Sequence, residues 1–371
     1  MRHQLLTHSR MLSFKMCRQR HWFEYEAGMR KNEDSKALRM GSAYHDCLEL
    51  LANKHSLSDA LEVIYKRYDF MPEEYDRLEW EYERETLVRL VCAYVWRWEH
   101  DEFEHLVAEQ SFVLPLISKD TGRALRTFRL AGKIDGIVRL QDGRMAVLEH
   151  KLLGEDLEED SNLWRRLRVD HQISLYCLAA RRLGYPVECV MYNVTRKPTI
   201  KPTKVPLVDD DGIKIVMDGE GRRVANGKGG WRQTASTENG WVLQTRDMTP
   251  TEWGNKLADD IQSRPQFYFQ RREIARLDVD LERFEEELLD IAQTMRDAQL
   301  RQRWYRTSTK DTCAFCSFFG PCTSGWRDGD APPEGFSFVS DIHPELVGSK
   351  NEHDATAENQ TDAAAADEIA F

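Results

Sequence analysis

The middle of the chain carries two carboxylates and a lysine whose spacing suits a metal-dependent hydrolytic site. Asp135 lies in the segment KIDG at 133–136, and Glu149 and Lys151 flank His150 in the segment that follows. Side chains of a strand point alternately to its two faces, so Glu149 and Lys151 are expected to share a face. The backbone carbonyl of His150 is then free to face the same side. Two carboxylates, a carbonyl and waters are the ligands that Mg²⁺ or Mn²⁺ prefers.

This set of groups suits the hydrolysis of a phosphodiester. A divalent ion activates water and neutralises the charge that develops on the phosphate. We expect Lys151 to lie beside the ion, where it orients the water and helps to deprotonate it. The alternative is that Glu149 and Lys151 form an ordinary solvated ion pair on a strand surface.

Four of the eight cysteines have the spacing of a metal centre. Cys313, Cys316 and Cys322 form a C-x2-C-x5-C pattern, and Cys17 lies near the other end of the chain. Two cysteines separated by two residues chelate a metal, and a fourth thiolate closes a tetrahedral shell. This spacing fits structural zinc and a 4Fe–4S cluster alike. The remaining cysteines lie in apolar or amphipathic stretches and are expected to be small buried hydrophobes: Cys47, Cys92, Cys177 and Cys189.

Strands and helices must position these groups. The alternating pattern from 109 to 150, interrupted by the turn QDG at 141–143, predicts paired strands that bring Asp135 close to Glu149. The other predicted elements are a strand at 187–196 and helices at 9–30 with Ser9 as N-cap, at 41–52, 59–105, 163–184 and 273–303.

The strand pair with Asp135 on one strand and Glu149-x-Lys151 on the next resembles the PD-(D/E)XK nucleases. The resemblance implies an α/β fold with a restriction-endonuclease-like core, in which helices flank a mixed central β-sheet. Glu109 matches an acid that is often found at the start of the first strand in this family, and it is a weaker candidate. The catalytic residues implied by the resemblance are Asp135, Glu149, Lys151, Gln172 and Tyr176.

Two further motifs are similar to those of the RecB-like branch of this family. His45 lies in a GxxxHxxxE pattern at 41–49, like the branch's histidine motif, and Gln172-x-x-x-Tyr176 is like its QxxxY motif. Gln172 and Tyr176 are four residues apart, so they share a helix face, which the family places beside the scissile phosphate. The alternative is that all three are packing or surface residues. The metal ligands implied are His45, Asp135, Glu149 and His150.

The cysteine layout is similar to that of the RecB-like nucleases that contain an iron–sulfur cluster. These include the CRISPR-associated adaptation exonucleases and the nuclease subunits of bacterial recombination complexes. In them, one cysteine precedes the nuclease motifs and a C-x2-C-x5-C triplet follows. Cys17, Cys313, Cys316 and Cys322 match that layout position by position. The resemblance implies a structural 4Fe–4S cluster in a helical region formed by both chain ends.

The resemblance implies a DNA exonuclease that acts on single-stranded or frayed ends in recombination, repair, CRISPR adaptation or phage DNA metabolism. The alternative is a non-catalytic iron–sulfur DNA-binding subunit of a larger recombination complex. The glycine-rich segment at 221–229 lacks the spacing of a phosphate-binding loop, so we expect no motor in this chain. The expected partners are DNA and a separate helicase, single-stranded-DNA-binding or recombination protein. Toroidal oligomers occur among the relatives.

Basic and aromatic residues lie near Cys17 and ahead of Cys313. If the cluster joins the ends, these residues would build one surface suited to single-stranded DNA. The alternative is a set of solvated helix faces with a few core aromatics. The residues concerned are Arg18, Arg20, His21, Trp22, Phe23, Arg301, Arg303, Trp304, Tyr305, Arg306 and Lys310.

The motifs divide the chain into five regions. We predict an N-terminal helix with one cluster cysteine, a nuclease core, an irregular insertion, a helical part with three cluster cysteines and an acidic disordered tail. In that order, the regions are 1–40, 41–196, 197–250, 251–326 and 327–371.

Composition restricts the location and the partners. The formal net charge is −11, but DNA binding requires only a local basic patch. No apolar run approaches the roughly 18 residues of a membrane helix, and the N-terminus lacks the apolar stretch of a signal peptide. We therefore expect a cytoplasmic protein without a membrane partner.

Overall fold

The computed structural model describes residues 3–101, 103–119 and 121–346. Its strands are β1 (Gln4–Leu6), β2 (Met29–Lys31), β3 (Glu104–Ile117), β4 (Ala124–Arg139), β5 (Met145–Leu153), β6 (Val187–Arg196), β7 (Lys204–Pro206), β8 (Val216–Met217), β9 (Val242–Leu243), β10 (Thr245–Asp247), β11 (Phe269–Ala275) and β12 (Phe336–Phe338).

The helices are α1 (His8–Met16), α2 (Arg18–His21), α3 (Lys36–Ala52), α4 (Leu57–Asp69), α5 (Arg77–Arg97), α6 (Asn162–Leu167), α7 (His171–Arg182), α8 (Pro250–Ser263), α9 (Pro265–Tyr268), α10 (Asp278–Arg301), α11 (Lys310–Ala314) and α12 (Phe319–Thr323). A π-helical turn (Trp22–Glu26) and a 3-10 turn (Pro344–Leu346) complete the set. Within the described ranges, none of the helices combines the length and the apolar character that crossing a bilayer requires.

Six strands form the central mixed sheet. The order is β1-β4-β5-β6-β11, and β3 also pairs with β4. The β1–β4 and β5–β6 pairs are parallel, whereas the β3–β4, β4–β5 and β6–β11 pairs are antiparallel. In the β4–β5 hairpin Gly136 lies opposite Leu148. Continuing that register by one residue places Asp135 opposite Glu149.

Helices pack on both faces of this sheet. One core combines Ile134 and Val147 of the sheet with Leu175 of α7 and Leu288 of α10. A second core is built from α3, α4, α5 and α8 and covers Leu152 on the other face of β5. Alternate residues of β5 therefore enter different cores, as the period of a strand requires. The fold class predicted from the sequence, an α/β fold with a mixed central sheet flanked by helices, is confirmed.

The two ends of the described chain meet beside the sheet. β12 pairs antiparallel with β2, and the backbone N–H of Gln19 donates to the carbonyl of Tyr305 at 3.2 Å. The rings of Phe23 and Phe318 stack with their centroids 5.3 Å apart. Residues from opposite ends of the sequence thus share one small core, which we call the end junction.

The structure corrects the single helix predicted at 9–30. The cap is Thr7 instead of Ser9, because the Thr7 hydroxyl accepts the backbone N–H of Arg10 at 3.2 Å. Cys17 has an extended backbone, with φ −162° and ψ 118°, and separates α1 from α2. The thiol of Cys17 therefore projects from a break between two helices instead of from a helix face.

The C-terminal part also departs from the prediction. Residues 269–275 form β11 at the sheet edge, where they pair with β6, so the long helix begins at Asp278 and not at 273. The disorder predicted from 327 is wrong up to residue 346. β12 pairs with β2 there, and Arg30 Nη2 donates to the carbonyl of Ile342 at 2.8 Å. The remaining residues of the predicted acidic tail, 347–371, lie outside the described residues.

The segment 197–250, predicted as an irregular insertion, contains four short strands. β7 pairs with β10 and β8 pairs with β9, each in a two-stranded antiparallel sheet. Isolated antiparallel bridges also pair residues of this segment with one another. The segment follows β6 directly and leads into α8.

Candidate active site

The β4–β5 hairpin holds the predicted carboxylates in register. Asp135 accepts the backbone N–H of His150 through Oδ2 at 2.8 Å, so its side chain is fixed against the neighbouring strand. Glu149 is buried, with 1% of its surface exposed. Asp135 and Glu149 are therefore positioned by neighbouring strands of the same hairpin.

Lys151 lies on the same face of β5 as Glu149, as the strand period predicts. Its ammonium forms an ion pair with Glu149 Oε1. Burial lowers the pKa of Lys151, but the charge of Glu149 outweighs burial, so the pKa lies above the ordinary value. Burial raises the pKa of Glu149 to about 7. The second carboxylate oxygen of Glu149, Oε2, is buried and has no hydrogen-bond partner.

His45 reaches this hairpin from α3. Its Nδ1 lies 3.4 Å from Asp135 Oδ2. Burial by itself raises the pKa of Asp135, but the charge and hydrogen bond of His45 outweigh it and hold that pKa below the usual range. The structure therefore brings three of the four predicted ligand residues together: His45, Asp135 and Glu149.

The ring of His150 lies on the face of β5 opposite Glu149, as the strand period predicts. Its Nδ1 lies 3.0 Å from the side-chain nitrogen of Asn193, and Asn193 in turn donates to the hydroxyl of Tyr94. Burial lowers the pKa of His150 to about 3, so the ring is neutral at pH 7. The backbone N–H of His150 donates to Asp135, and the role of its carbonyl as a ligand stays a prediction.

Gln172 and Tyr176 lie on one face of α7. Gln172 Nε2 donates to the Tyr176 hydroxyl at 3.1 Å. Both side chains line a cavity of about 160 Å³ together with Asp135. The predicted neighbours of the scissile phosphate thus share a cavity with one predicted ligand.

Sequence reasoning missed several residues of that cavity. Glu345, from the C-terminal 3-10 turn, lines it and accepts a hydrogen bond from the Thr7 hydroxyl at 2.6 Å. His8 and Lys133 line it as well. Glu345 could not be identified from the sequence, because it lies in a stretch whose composition predicts disorder. Lys133 stands two residues before Asp135, on the same face of the strand, and could have been identified from that spacing.

A second cavity, of about 50 Å³, lies on the other side of Asp135. It is lined by Glu49 of the histidine motif and by Glu109, whose carboxyl groups are hydrogen-bonded to each other. Burial raises the pKa of Glu49 to about 8, with a further contribution from Glu109. The ammonium of Lys133 forms an ion pair with Glu109, with Nζ 2.9 Å from Oε2. Glu109 therefore lies at the site, next to a carboxyl that holds its proton at neutral pH.

The four predicted cluster cysteines lie at the end junction. The backbone N–H of Thr307 donates to the Cys17 sulfur at 3.4 Å, and the Cys313 thiol donates to the Thr307 carbonyl at 3.9 Å. Burial raises the pKa of the Cys316 and Cys322 thiols, and nearby Cys17 adds to both shifts. Cys313 adds to the shift of Cys322. The chain ends thus bring all four sulfurs into one neighbourhood, and all are free thiols.

The aromatic residues near these cysteines are mostly core. His21 is fully buried and stacks on Trp304 at 5.6 Å, and Phe23 stacks on Phe318. Tyr305, by contrast, is 58% exposed, and the guanidinium of Arg18 lies 4.5 Å from its ring centroid. The alternative given for the basic and aromatic surface is therefore correct for most of its rings.

Among the described residues, no set of three or more His, Cys, Asp or Glu side chains has the spacing of a formed metal centre. At the hairpin, Lys151 and His45 instead balance the two carboxylates. The donor set nevertheless fits a hard divalent ion, because such ions prefer carboxylate oxygens and Glu149 Oε2 is buried without a partner. An unsatisfied buried acceptor costs about 1–3 kcal/mol, a cost that a cation would remove. Four neighbouring thiols likewise fit a metal that thiolates bind.

Comparison with known proteins gives one family. A model of the PD-(D/E)XK nuclease superfamily matches residues 5–323, a range that contains Cys17, Cys322 and all the hairpin residues. A solved structure described as the crystal structure of SSO0001 is 10% identical, with 87% of this chain and 88% of that chain covered and a TM-score of 0.33. No curated protein matches the chain.

Proposed function

From the membership of this chain in the PD-(D/E)XK nuclease superfamily, whose nucleases use Mg²⁺ or Mn²⁺, we infer that it is a DNA nuclease of the RecB-like branch. The observation that carries the proposal is the β4–β5 register. That register, extended by one residue, puts Asp135 opposite Glu149, and Lys151 lies on the same face of β5 as Glu149. Asp135 lines a cavity together with Gln172 and Tyr176. The mixed sheet flanked by helices is consistent with a restriction-endonuclease-like core.

Each residue has a role in this proposal. His45, Asp135, Glu149 and the carbonyl of His150 would hold the divalent ion. When bound, that ion supplies activation of water and neutralisation of charge on the phosphate. The pKa of Lys151 lies above its ordinary value, so Lys151 acts as an ammonium that orients the attacking water and offsets negative charge on the phosphate. Gln172 and Tyr176 fix the position of the DNA backbone by hydrogen bonds from the helix face.

We extend the proposal to an exonuclease that acts on single-stranded or frayed ends. The cavity at Gln172 and Tyr176 is small, and residues from both chain ends, Thr7 and Glu345, line part of it. A strand end needs less room than a continuous duplex. The opening of a duplex then requires a separate helicase or recombination partner. The pathway belongs to recombination, repair, CRISPR adaptation or phage DNA metabolism.

A 4Fe–4S cluster on Cys17, Cys313, Cys316 and Cys322 is part of the same proposal. What supports it is the neighbourhood of the four free thiols at the end junction. The cluster would have a structural role, because it would tie the ends of the chain together. Eight free cysteines also suit a reducing compartment, so the proposal includes the cytoplasm.

The experiment is cleavage of labelled single-stranded and duplex DNA with Mn²⁺. Lys151→Ala is expected to lower the rate by about 100-fold or more, since it removes the ammonium that orients the attacking water and offsets charge on the phosphate. Lys119→Ala is the matched control, because Lys119 forms a surface ion pair with Glu286 on another part of the protein. Equal cleavage by wild type and Lys151→Ala would refute the role of Lys151. No cleavage of any DNA by the wild type would favour the non-catalytic DNA-binding subunit.

Exonuclease action is tested separately. Circular and linear single strands of one sequence are incubated with the wild type. Only the linear strand is expected to be degraded, and labels at either end give the polarity. Cleavage of the circle at a similar rate would show an endonuclease.

A further inference from the structure

The segment between β7 and β10 repeats one kind of turn three times. In each turn an Asx side chain accepts the backbone N–H of the residue four positions later: Asp209 from Ile213, Asp218 from Arg222 and Asn226 from Gly230, at 2.8 to 3.1 Å. The fourth residue of each turn is a glycine with φ between 75° and 81°, a conformation that other residues rarely adopt. The repetition builds a ladder of short hairpins from 207 to 244, which we call the arm.

The arm has almost no core of its own. Of its residues, only Val216 is buried. Because burial of apolar surface is the main source of stability, such a segment contributes little to the stability of the fold. Its side chains are instead presented to solvent. The arm therefore adds exposed surface and little core.

Two arginine–tryptophan pairs lie on the arm. The guanidinium of Arg223 lies 4.6 Å from the ring centroid of Trp231, and that of Arg232 lies 4.4 Å from the centroid of Trp241. Trp231 keeps 42% of its surface exposed. Aromatic rings and guanidinium planes are the surfaces on which unpaired bases stack.

The basic residues of the arm lie in its middle part. Residues 214–232 hold five Lys or Arg against two Asp or Glu, whereas the whole arm, 207–244, holds five against six. Arg222 and Arg223 are paired with carboxylates of the arm. Lys214, Lys228 and Arg232 have no carboxylate within ion-pair distance among the described residues. Their charge is available to phosphates.

The arm follows the strand that pairs with β5 of the hairpin site. In the β5–β6 pairing Lys151 lies opposite Val194, and β6 ends two residues later at Arg196. The segment 197–206 connects β6 to the arm. Where the segment returns to the core, the Tyr82 hydroxyl donates to the Met248 carbonyl at 2.5 Å.

We propose that the arm is a second binding surface for single-stranded DNA, with bases stacked on Trp231 and Trp241 and phosphates at Lys214, Lys228 and Arg232. This rests on the proposed function, because it assigns the same substrate to a surface outside the active site. The arm holds the strand beyond the bond that is cut. It therefore acts on long substrates and not on short ones.

The test compares long and short oligonucleotides. Binding of labelled dT30 and dT6 to the full chain is measured by fluorescence anisotropy without added divalent ion. Trp231→Ala/Trp241→Ala is expected to weaken dT30 binding about tenfold or more, since each stacked base contributes about 1–3 kcal/mol. Binding of dT6 and its cleavage with Mn²⁺ should not change. Trp96→Ala is the matched control, because Trp96 is 49% exposed on α5, away from the arm.

A second variant keeps both tryptophans, so it tests the proposal even if the double substitution unfolds the arm. Lys214→Gln/Lys228→Gln changes two exposed side chains, and it should lower the salt dependence of dT30 binding by about 0.7 per cation removed. Unchanged dT30 affinity in both variants, with cleavage intact, would refute the arm as a binding surface. It would not affect the proposal that the protein is a nuclease. Weakened dT30 binding by both variants, in a protein that cleaves no DNA, would support the arm as a binding surface and refute the proposal of a nuclease. An equal loss on a blunt duplex would overturn the assignment to single strands.

Discussion

The hairpin site and the end junction are assembled in opposite ways. In the hairpin, a turn of a few residues sets the register of β4 and β5, and this register, extended by one residue, brings Asp135 opposite Glu149. In the junction, Cys17 and Cys313 are 296 positions apart and meet only when the whole domain has formed. The cost of closing so long a loop must be recovered by packing and by whatever the thiols bind. Local structure thus positions the hairpin carboxylates, whereas the stability of the junction depends on contacts between distant parts of the chain.

This comparison has a direct consequence for variants. A change in the hairpin should reduce activity and leave the free energy of unfolding nearly unchanged. A change in the junction should reduce stability first and activity only as a result. The four predictions that follow test this separation.

Cys17→Ala should have the largest effect. In a chain-entropy estimate, a cross-link that closes a loop of this length contributes about 5 kcal/mol. The variant is expected to lose bound iron and its visible absorbance, and to unfold at a much lower denaturant concentration. Cys92→Ala is the control, because Cys92 is partly exposed on α5. Unchanged iron content in Cys17→Ala would remove Cys17 from the proposed ligand set.

Asp135→Asn should reduce activity and leave stability nearly unchanged, which is the opposite of the effect of Cys17→Ala. Loss of the carboxylate removes several kcal/mol of charge stabilisation, so cleavage with Mn²⁺ should fall by about 100-fold or more. The amide oxygen can still accept the N–H of His150, so thermal unfolding should shift by only a few degrees. A large loss of stability with normal specific activity of the folded fraction would show that Asp135 is structural.

Much of the hairpin could be predicted from the sequence, because its determinants are local. Alternation and the QDG turn predict the pairing, and the strand period predicts the shared face of Glu149 and Lys151. The approach of His45 to Asp135 is different. It depends on the packing of α3 against the sheet and could be expected only from the family's motif.

Several features that the sequence did not predict depend on distant contacts. Ile274 and Leu277 continue the helical spacing of the later residues, yet pairing with β6 makes 269–275 a strand. Glu345 lies in a polar stretch that packing against the N-terminal residues orders. Periodicity reports only which face of an element is apolar, so a strand at a sheet edge and an ordered polar segment both escape it.

The pH dependence of stability should report on the burial of His21, which stacks on Trp304. Burial lowers the pKa of His21 to about 2, and its Nε2 accepts the Arg10 side chain at 3.3 Å. The folded state therefore keeps His21 neutral, while the unfolded chain takes up a proton near pH 6.5. This contribution to stability is complete above pH 6.5 and falls by roughly 1.4 kcal/mol per unit as the pH decreases below it.

His21→Gln should therefore show a shallower loss of unfolding free energy between about pH 6.5 and 5 than the wild type. The measurement is denaturant unfolding at several pH values. His100→Gln, at an exposed position, should reproduce the wild-type slope. Parallel curves for His21→Gln and the wild type would show that this ring is protonated equally in both states.

Glu345→Gln should have the smallest effect, at the place where the chain ends reach the hairpin site. The carboxylate lines the cavity of Gln172 and Tyr176, where it repels an incoming phosphate, whereas the amide keeps an acceptor for the Thr7 hydroxyl. We expect KM for single-stranded DNA to fall by about two- to fivefold, as for the loss of one partly screened charge, with kcat unchanged. Glu334→Gln, in the same C-terminal segment but exposed, is the control. A rise in KM would mean that Glu345 holds the substrate, and the junction would then contribute to binding as well as to stability.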